Sequence, residues 1–98
     1  MSCKEISTND MRRILFSHEK VQIVDVREID EYRAGHIEGS TLIPLETLPY
    51  RVDSLNREEP VVLVCRSGNR SAEACQMLTK RGFDAVSLRG GLISWHSA

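Results

Sequence analysis

No apolar stretch in this chain approaches the ~20 residues that a membrane-spanning helix needs. The opening Met1-Ser2-Cys3-Lys4-Glu5 lacks the basic region and apolar core of a secretory leader. Both absences lead to the expectation of a cytoplasmic protein without a membrane partner. Charge of one sign is not in excess either. Thirteen lysines and arginines stand against fourteen aspartates and glutamates, a net charge of −1, so no global field recruits nucleic acid and any attraction for an anion has to be local. Cysteine is scarce. Cys3, Cys65 and Cys75 make neither an even disulfide framework nor a close pair of the metal-binding kind, and all three are expected as reduced thiols. His18, His36 and His96 are scattered singly, so no metal and no cofactor is expected. Repeats and low-complexity linkers are missing. The 98 residues, 41% hydrophobic and 28% charged, suit one domain over 1–98 with one modest core, expected as a monomer.

What is present alternates between two periodicities. Lys4-Glu5-Ile6 reads as a short strand, and Ser7 or Thr8 caps a helix running to His18 with Met11, Ile14 and Leu15 at helical spacing. Val21-Gln22-Ile23-Val24-Asp25-Val26 is β-branched and reads as a strand, followed by a short polar helix over 27–34 closed by Gly35. Thr41-Leu42-Ile43 is a weak strand before Pro44, and 45–55 is helical in part, with Pro49 interrupting or starting a segment. A strand over 61–65, a helix over 71–81, a strand over 83–88 and a final helical turn carrying Trp95 complete the chain. Strands alternating with helices predict an α/β fold: a small, mostly parallel five-stranded sheet with helices on both faces.

The densest chemistry lies in Cys65-Arg66-Ser67-Gly68-Asn69-Arg70-Ser71. The run before it, Pro60-Val61-Val62-Leu63-Val64, is apolar throughout, as expected of a parallel strand buried on both faces. A strand, a glycine-containing loop and a helix N-terminus together form a cup of backbone N–H groups, which binds anions. In open parallel sheets ligands bind beyond the carboxyl ends of the strands, and Cys65 sits at such an end. A free thiol titrates near ~8.5, so a reactive one needs surroundings that favour the thiolate. The amide cup, Arg66 and Arg70 supply them. A lone buried cysteine is more often simple packing. Two arginines, a glycine and several short polar side chains in the next six positions shift the balance toward function. Cys75 shares a helical face with Ser71, Ala74 and Leu78 and is assigned to packing against the sheet. Asp25, near the end of its own strand, reads better as an acceptor for nearby amides or for a structural arginine than as a catalytic group.

Taken together the motifs resemble the single-domain rhodanese family of thiosulfate sulfurtransferases. Val24-Asp25-Val26-Arg27-Glu28, Glu31-Tyr32, Gly35-His36-Ile37-Glu38-Gly39-Ser40 and Ile43-Pro44 are similar to the family's first signature. Gly90-Gly91 followed by Trp95 is similar to its second, and Cys65 to Ser71 occupies its active-site loop. Ser40-Thr41-Leu42 departs from the family's more usual alanine and asparagine, at a turn. The resemblance implies a ping-pong cycle in which Cys65 takes sulfur from thiosulfate, sulfite leaves, and the persulfide passes to an acceptor such as glutathione, a thioredoxin-like protein, cyanide or a biosynthetic carrier. Arg66 and Arg70 would bind the sulfonate, Arg70 alternatively tying the loop to an acidic residue. Gly68 would permit a turn with positive φ, Ser67 and Asn69 would bond within the loop, and Ser71 would cap the helix. Asp25, Arg27 and His36 are read as structural support.

Two rivals stand beside this reading. Cysteine phosphatases and related arsenate reductases carry one residue more between cysteine and arginine than the four, Arg66 to Asn69, that intervene here. One residue adds up to about 3.6 Å of chain, enough to refit a cradle from sulfur to a tetrahedral phosphoryl group. The second rival is a sulfur-relay or docking module serving partner proteins through the same Cys65. Two loop arginines favour a small anionic donor instead.

Overall fold

The computed structural model describes residues 3–97; Met1, Ser2 and Ala98, and with them the start of the leader reading and the last residue of the expected domain, lie outside the described residues. Five strands and five helices follow in the order β1 (Lys4–Ile6), α1 (Thr8–Ser17), β2 (Gln22–Asp25), α2 (Ile29–Arg33), β3 (Thr41–Leu42), α3 (Leu48–Arg51) with a 3₁₀ turn over Val52–Ser54, β4 (Val61–Val64), α4 (Asn69–Lys80), β5 (Ala85–Leu88) and α5 (Gly91–Ser97). The strands form one sheet in the order β1-β5-β4-β2-β3, and each pairing is parallel. This is the α/β architecture that the alternating pattern predicts.

The continuous apolar run of β4 is explained by its central place. All four of its residues are buried, and they alternate between faces. Val61 and Leu63 pack with Leu48 of α3 and with Ala74 and Leu78 of α4. Val62 and Val64 pack with Met11 of α1 and Leu92 of α5. Helix α1 starts in a capping box, Ser7 Oγ accepting from the Asp10 amide at 3.0 Å while the Asp10 carboxylate accepts from the Ser7 amide at 3.1 Å. Such a cap stabilises a helix by about 1 kcal/mol. Among the described residues no helix is long and apolar enough to cross a membrane.

Two helix starts differ from the sequence reading. Helix α2 begins at Ile29 instead of Arg27, because the Arg27 amide and guanidinium are both turned onto Asp25. Helix α4 begins at Asn69, with Gly68 at φ 107° in the capping position. Ser71 is therefore inside the first turn and is not the N-cap that the sequence suggests.

The expectation of three reduced thiols is also corrected, since Cys3 and Cys75 form a disulfide with Cα atoms 5.7 Å apart. The cause is topological. Strand β1 pairs with β5, and α4 packs on β5 and β4, so the residue just ahead of β1 meets the inward face of α4 across 72 positions of sequence. Cys65 is the free cysteine that remains.

Candidate active site

Cys65 follows directly on β4, and its loop is held from below by α5. The Leu92 amide donates to the Cys65 carbonyl at 2.8 Å and the Ile93 amide to the Arg66 carbonyl at 3.0 Å. These are amides of the first turn of α5, which have no partner within their own helix. The approach is so close that a Cβ on Gly91, whose φ is 59°, would lie 2.4 Å from the Arg66 carbonyl oxygen. Gly91 is thus required because backbone packs on backbone there, whereas a Cβ on Gly90 would run into the Ser94 side chain.

The thiol lies at the bottom of the loop, with Cys65 only 1% exposed. Its sulfur accepts from the Gly68 amide at 3.1 Å and from the Ser71 amide at 3.3 Å, and its S–H points to Ser71 Oγ at 3.4 Å. Both amides belong to the start of α4, so the helix dipole also favours negative charge at this point. The anticipated cup therefore consists of these two N–H groups. Ser67 and Asn69 are exposed on its outer surface.

The arginines occupy different settings. Arg70 meets Glu31 of α2 end to end, at 2.7 and 2.8 Å. Hydrogen bonding from Arg70 holds the Glu31 carboxyl down at about 2, against the opposing effect of burial. Hydrogen bonding to Glu31 in turn keeps Arg70 charged above its ordinary value, with a smaller Coulombic contribution from Cys65. Arg70 is thus tied to an acidic residue, Glu31. Arg27 is buried against Asp25, whose carboxylate accepts from the Arg27 amide at 3.0 Å and from its guanidinium at 2.8 to 3.1 Å. Arg27 also donates to the Gly35 carbonyl at 2.8 Å. His36 is exposed, its Nδ1 2.8 Å from the Tyr32 carbonyl and its ring stacked on Tyr32. Its contacts are with Tyr32 and not with the Cys65 sulfur. Arg66 is exposed and has no side-chain partner among the described residues. It lines a cavity of about 320 Å³ together with Arg27, Glu31, Ala34, Leu92, Ile93 and His96. No cluster of metal-ligating side chains exists among the described residues.

Two participants escape sequence reasoning. Glu31 stands in the first signature, but nothing there announces a partner 39 positions away. Ser87 is fully buried on β5 with its Oγ 2.7 Å from Ser71 Oγ. Its one signal is a hydroxyl in the otherwise apolar Ala85-Val86-Ser87-Leu88.

A buried thiol receiving two helix-start amides at the carboxyl end of a central parallel strand defines an α/β protein with a cysteine in an anion-binding loop. A model of the rhodanese-like domain matches residues 7–98, and the chain belongs to that family. It is 37% identical over 98 residues to the thiosulfate sulfurtransferase GlpE of Shewanella oneidensis, covering 99% of this chain and 96% of that one. It is 34% identical over 95 residues to the putative sulfurtransferase YtwF of Bacillus subtilis, covering 97% and 92%. A rhodanese-like domain protein from Staphylococcus aureus superposes with a TM-score of 0.89 at 39% identity, over 94% of this chain and 90% of that one. These relatives support sulfur transfer as the general activity of the chain.

Proposed function

We propose that the chain is a thiosulfate sulfurtransferase working through a Cys65 persulfide. The Cys65 thiolate attacks the outer sulfur of thiosulfate, the S–S bond to the sulfonate breaks, and sulfite leaves with the bonding pair. The enzyme then holds Cys65–S–S⁻ until a thiolate or cyanide attacks the outer sulfur and restores the Cys65 thiolate. The observation that carries this reading is the convergence of the Gly68 and Ser71 amides on the Cys65 sulfur at 3.1 and 3.3 Å. Donors fixed in this way stabilise an anion without reorganising during the reaction.

Arg66 supports a small anionic donor, because it is exposed, without a side-chain partner among the described residues, and lines a cavity of about 320 Å³. Arg70 is engaged by Glu31 and acts in this reading by holding the loop against α2. A thiol of the glutathione or thioredoxin type is the acceptor in this reading. The loop, with four residues between Cys65 and Arg70, favours this chemistry over phosphate or arsenate.

The test is to incubate the reduced protein with thiosulfate, remove the excess and record the intact mass without reductant, with Cys65→Ser alongside. A gain of one sulfur atom in the parent only, discharged by added thiol or cyanide, is expected. Absence of that gain, or an equal gain in Cys65→Ser, would overturn the reading.

A further inference from the structure

The hydroxyl of Ser87 lies in the interior of the sheet behind the active loop, and the mechanism above does not use it. Ser87 is fully buried on β5, and Ser71 Oγ, at 2.7 Å, is its hydrogen-bond partner. Ser71 Oγ in turn lies 3.4 Å from the Cys65 sulfur and 3.2 Å from the Gly68 carbonyl oxygen. A hydroxyl has one proton to give and two lone pairs to fill, so the donor in the Ser71–Ser87 contact can be assigned by elimination. Were Ser71 the donor, the Ser87 proton would be left unmatched in a dry interior, which is costly. Ser87 is therefore the donor, and the single Ser71 proton is directed at the loop.

We infer that Ser87 is a positioning residue for the Cys65 thiolate, acting through Ser71; this deepens the proposed function and rests on its assignment of Cys65 as the reacting group. With the thiol neutral, Ser71 Oγ accepts from both Cys65 S–H and Ser87 O–H and donates to the Gly68 carbonyl. When the thiol proton departs to solvent, the Ser71 O–H turns from the carbonyl to the sulfur and makes a charge-assisted bond. The Gly68 carbonyl stays satisfied through that change, because the Ala72 amide also donates to it, at 3.1 Å. Ser87 remains a donor in both states, and its O–H polarises that of Ser71. The sulfur thus gains a third donor only when it is charged.

The charged side chains on the elements that surround the loop are Arg70 on α4 with its partner Glu31 on α2, the exposed Arg66 on the loop itself, and the Asp25–Arg27 pair at the end of β2, the strand beside β4. Strand β5 adds the neutral Ser87, and α5 adds amides bound to the loop carbonyls. None of these charges is altered by removing a hydroxyl, so a change in the titration of the thiol reports the serine pair.

The experiment measures iodoacetamide alkylation of the peptide carrying Cys65 as a function of pH, in the parent, Ser87→Ala, Ser71→Ala and the double variant. Ser87→Ala is expected to move the profile upward by about half a pH unit, roughly threefold less thiolate at a fixed pH below the midpoint. The double variant is expected to shift no further than Ser71→Ala alone, as two groups in one chain require. Ser87→Cys, of similar shape with a weaker donor, is expected to shift in the same direction and serves if Ser87→Ala does not fold. An unmoved profile in both Ser87 variants, or additive shifts in the double variant, would overturn the inference. Persulfide formation is measured on the same samples. A moved profile in a protein that takes no sulfur from thiosulfate would sustain the role of Ser87 and reject the thiosulfate reading; an unmoved profile with normal sulfur uptake would do the reverse.

Discussion

The Glu31 carboxylate and the Arg70 guanidinium meet in a two-pronged ion pair, at 2.7 and 2.8 Å, that joins α2 to the first turn of α4 beside the Cys65 loop. About a third of each side chain is exposed, so solvent screens the pair, and a contribution of about 1 kcal/mol is appropriate. The pair is worth more as geometry than as energy. The same turn of α4 supplies the Ser71 amide to the sulfur, and a planar fork fixes the orientation of both partners.

Glu31→Gln is accordingly expected to lower stability by about 1 kcal/mol at neutral pH. The folded Glu31 titrates near 2, below its ordinary 4.5. A carboxyl depressed by folding stabilises fully above the unfolded value and loses that stabilisation as pH falls through the folded one. The difference between parent and variant should therefore be constant above about pH 5 and shrink toward pH 2. Urea melts of both proteins across that range check it, and a difference that grows on acidification would contradict the assignment.

The disulfide between Cys3 and Cys75 closes 72 positions of sequence. The chain-entropy treatment gives a loop of that length a stabilisation of about 4 kcal/mol. Reduction, or a Cys3→Ser variant, should lower the denaturation midpoint correspondingly, while Cys65, outside the bridge, continues to accept sulfur. Thiol titration in denaturant should find a single thiol before reduction and all three after it. Three thiols in the untreated protein would remove the bridge from the account of its stability.

Much of this arrangement is legible in the sequence because it depends on local periodicity. Val61 to Val64 announces a strand buried on both faces, Ser7 or Thr8 announces a helix start, and Gly68 marks the turn into α4. The remainder depends on pairings that only the sheet order creates. Cys3 meets Cys75 because β1 joins the sheet beside β5, and Glu31 meets Arg70 across 39 positions. Ser87 reaches Ser71 because β5 lies next to β4 in the sheet order. The position of the α4 start was displaced for a different reason, since a glycine at φ 107° starts the helix ahead of the serine that composition favours as its cap.

Arg66 differs from the other two arginines near the site, because Arg27 is spent on Asp25 and Arg70 on Glu31. An exposed cation without a protein partner has little to contribute to folding and retains its donors for a ligand. Arg66→Ala should therefore leave the thermal midpoint within about a degree or two of the parent. It should raise the KM for thiosulfate by roughly tenfold, the loss of about 1.4 kcal/mol expected for one charge-assisted contact. A cyanide-coupled assay at varied thiosulfate separates the two parameters. A KM unchanged at equal kcat would show that the sulfonate is held elsewhere, leaving the α4 amides and the dipole behind them as the whole of the anion site.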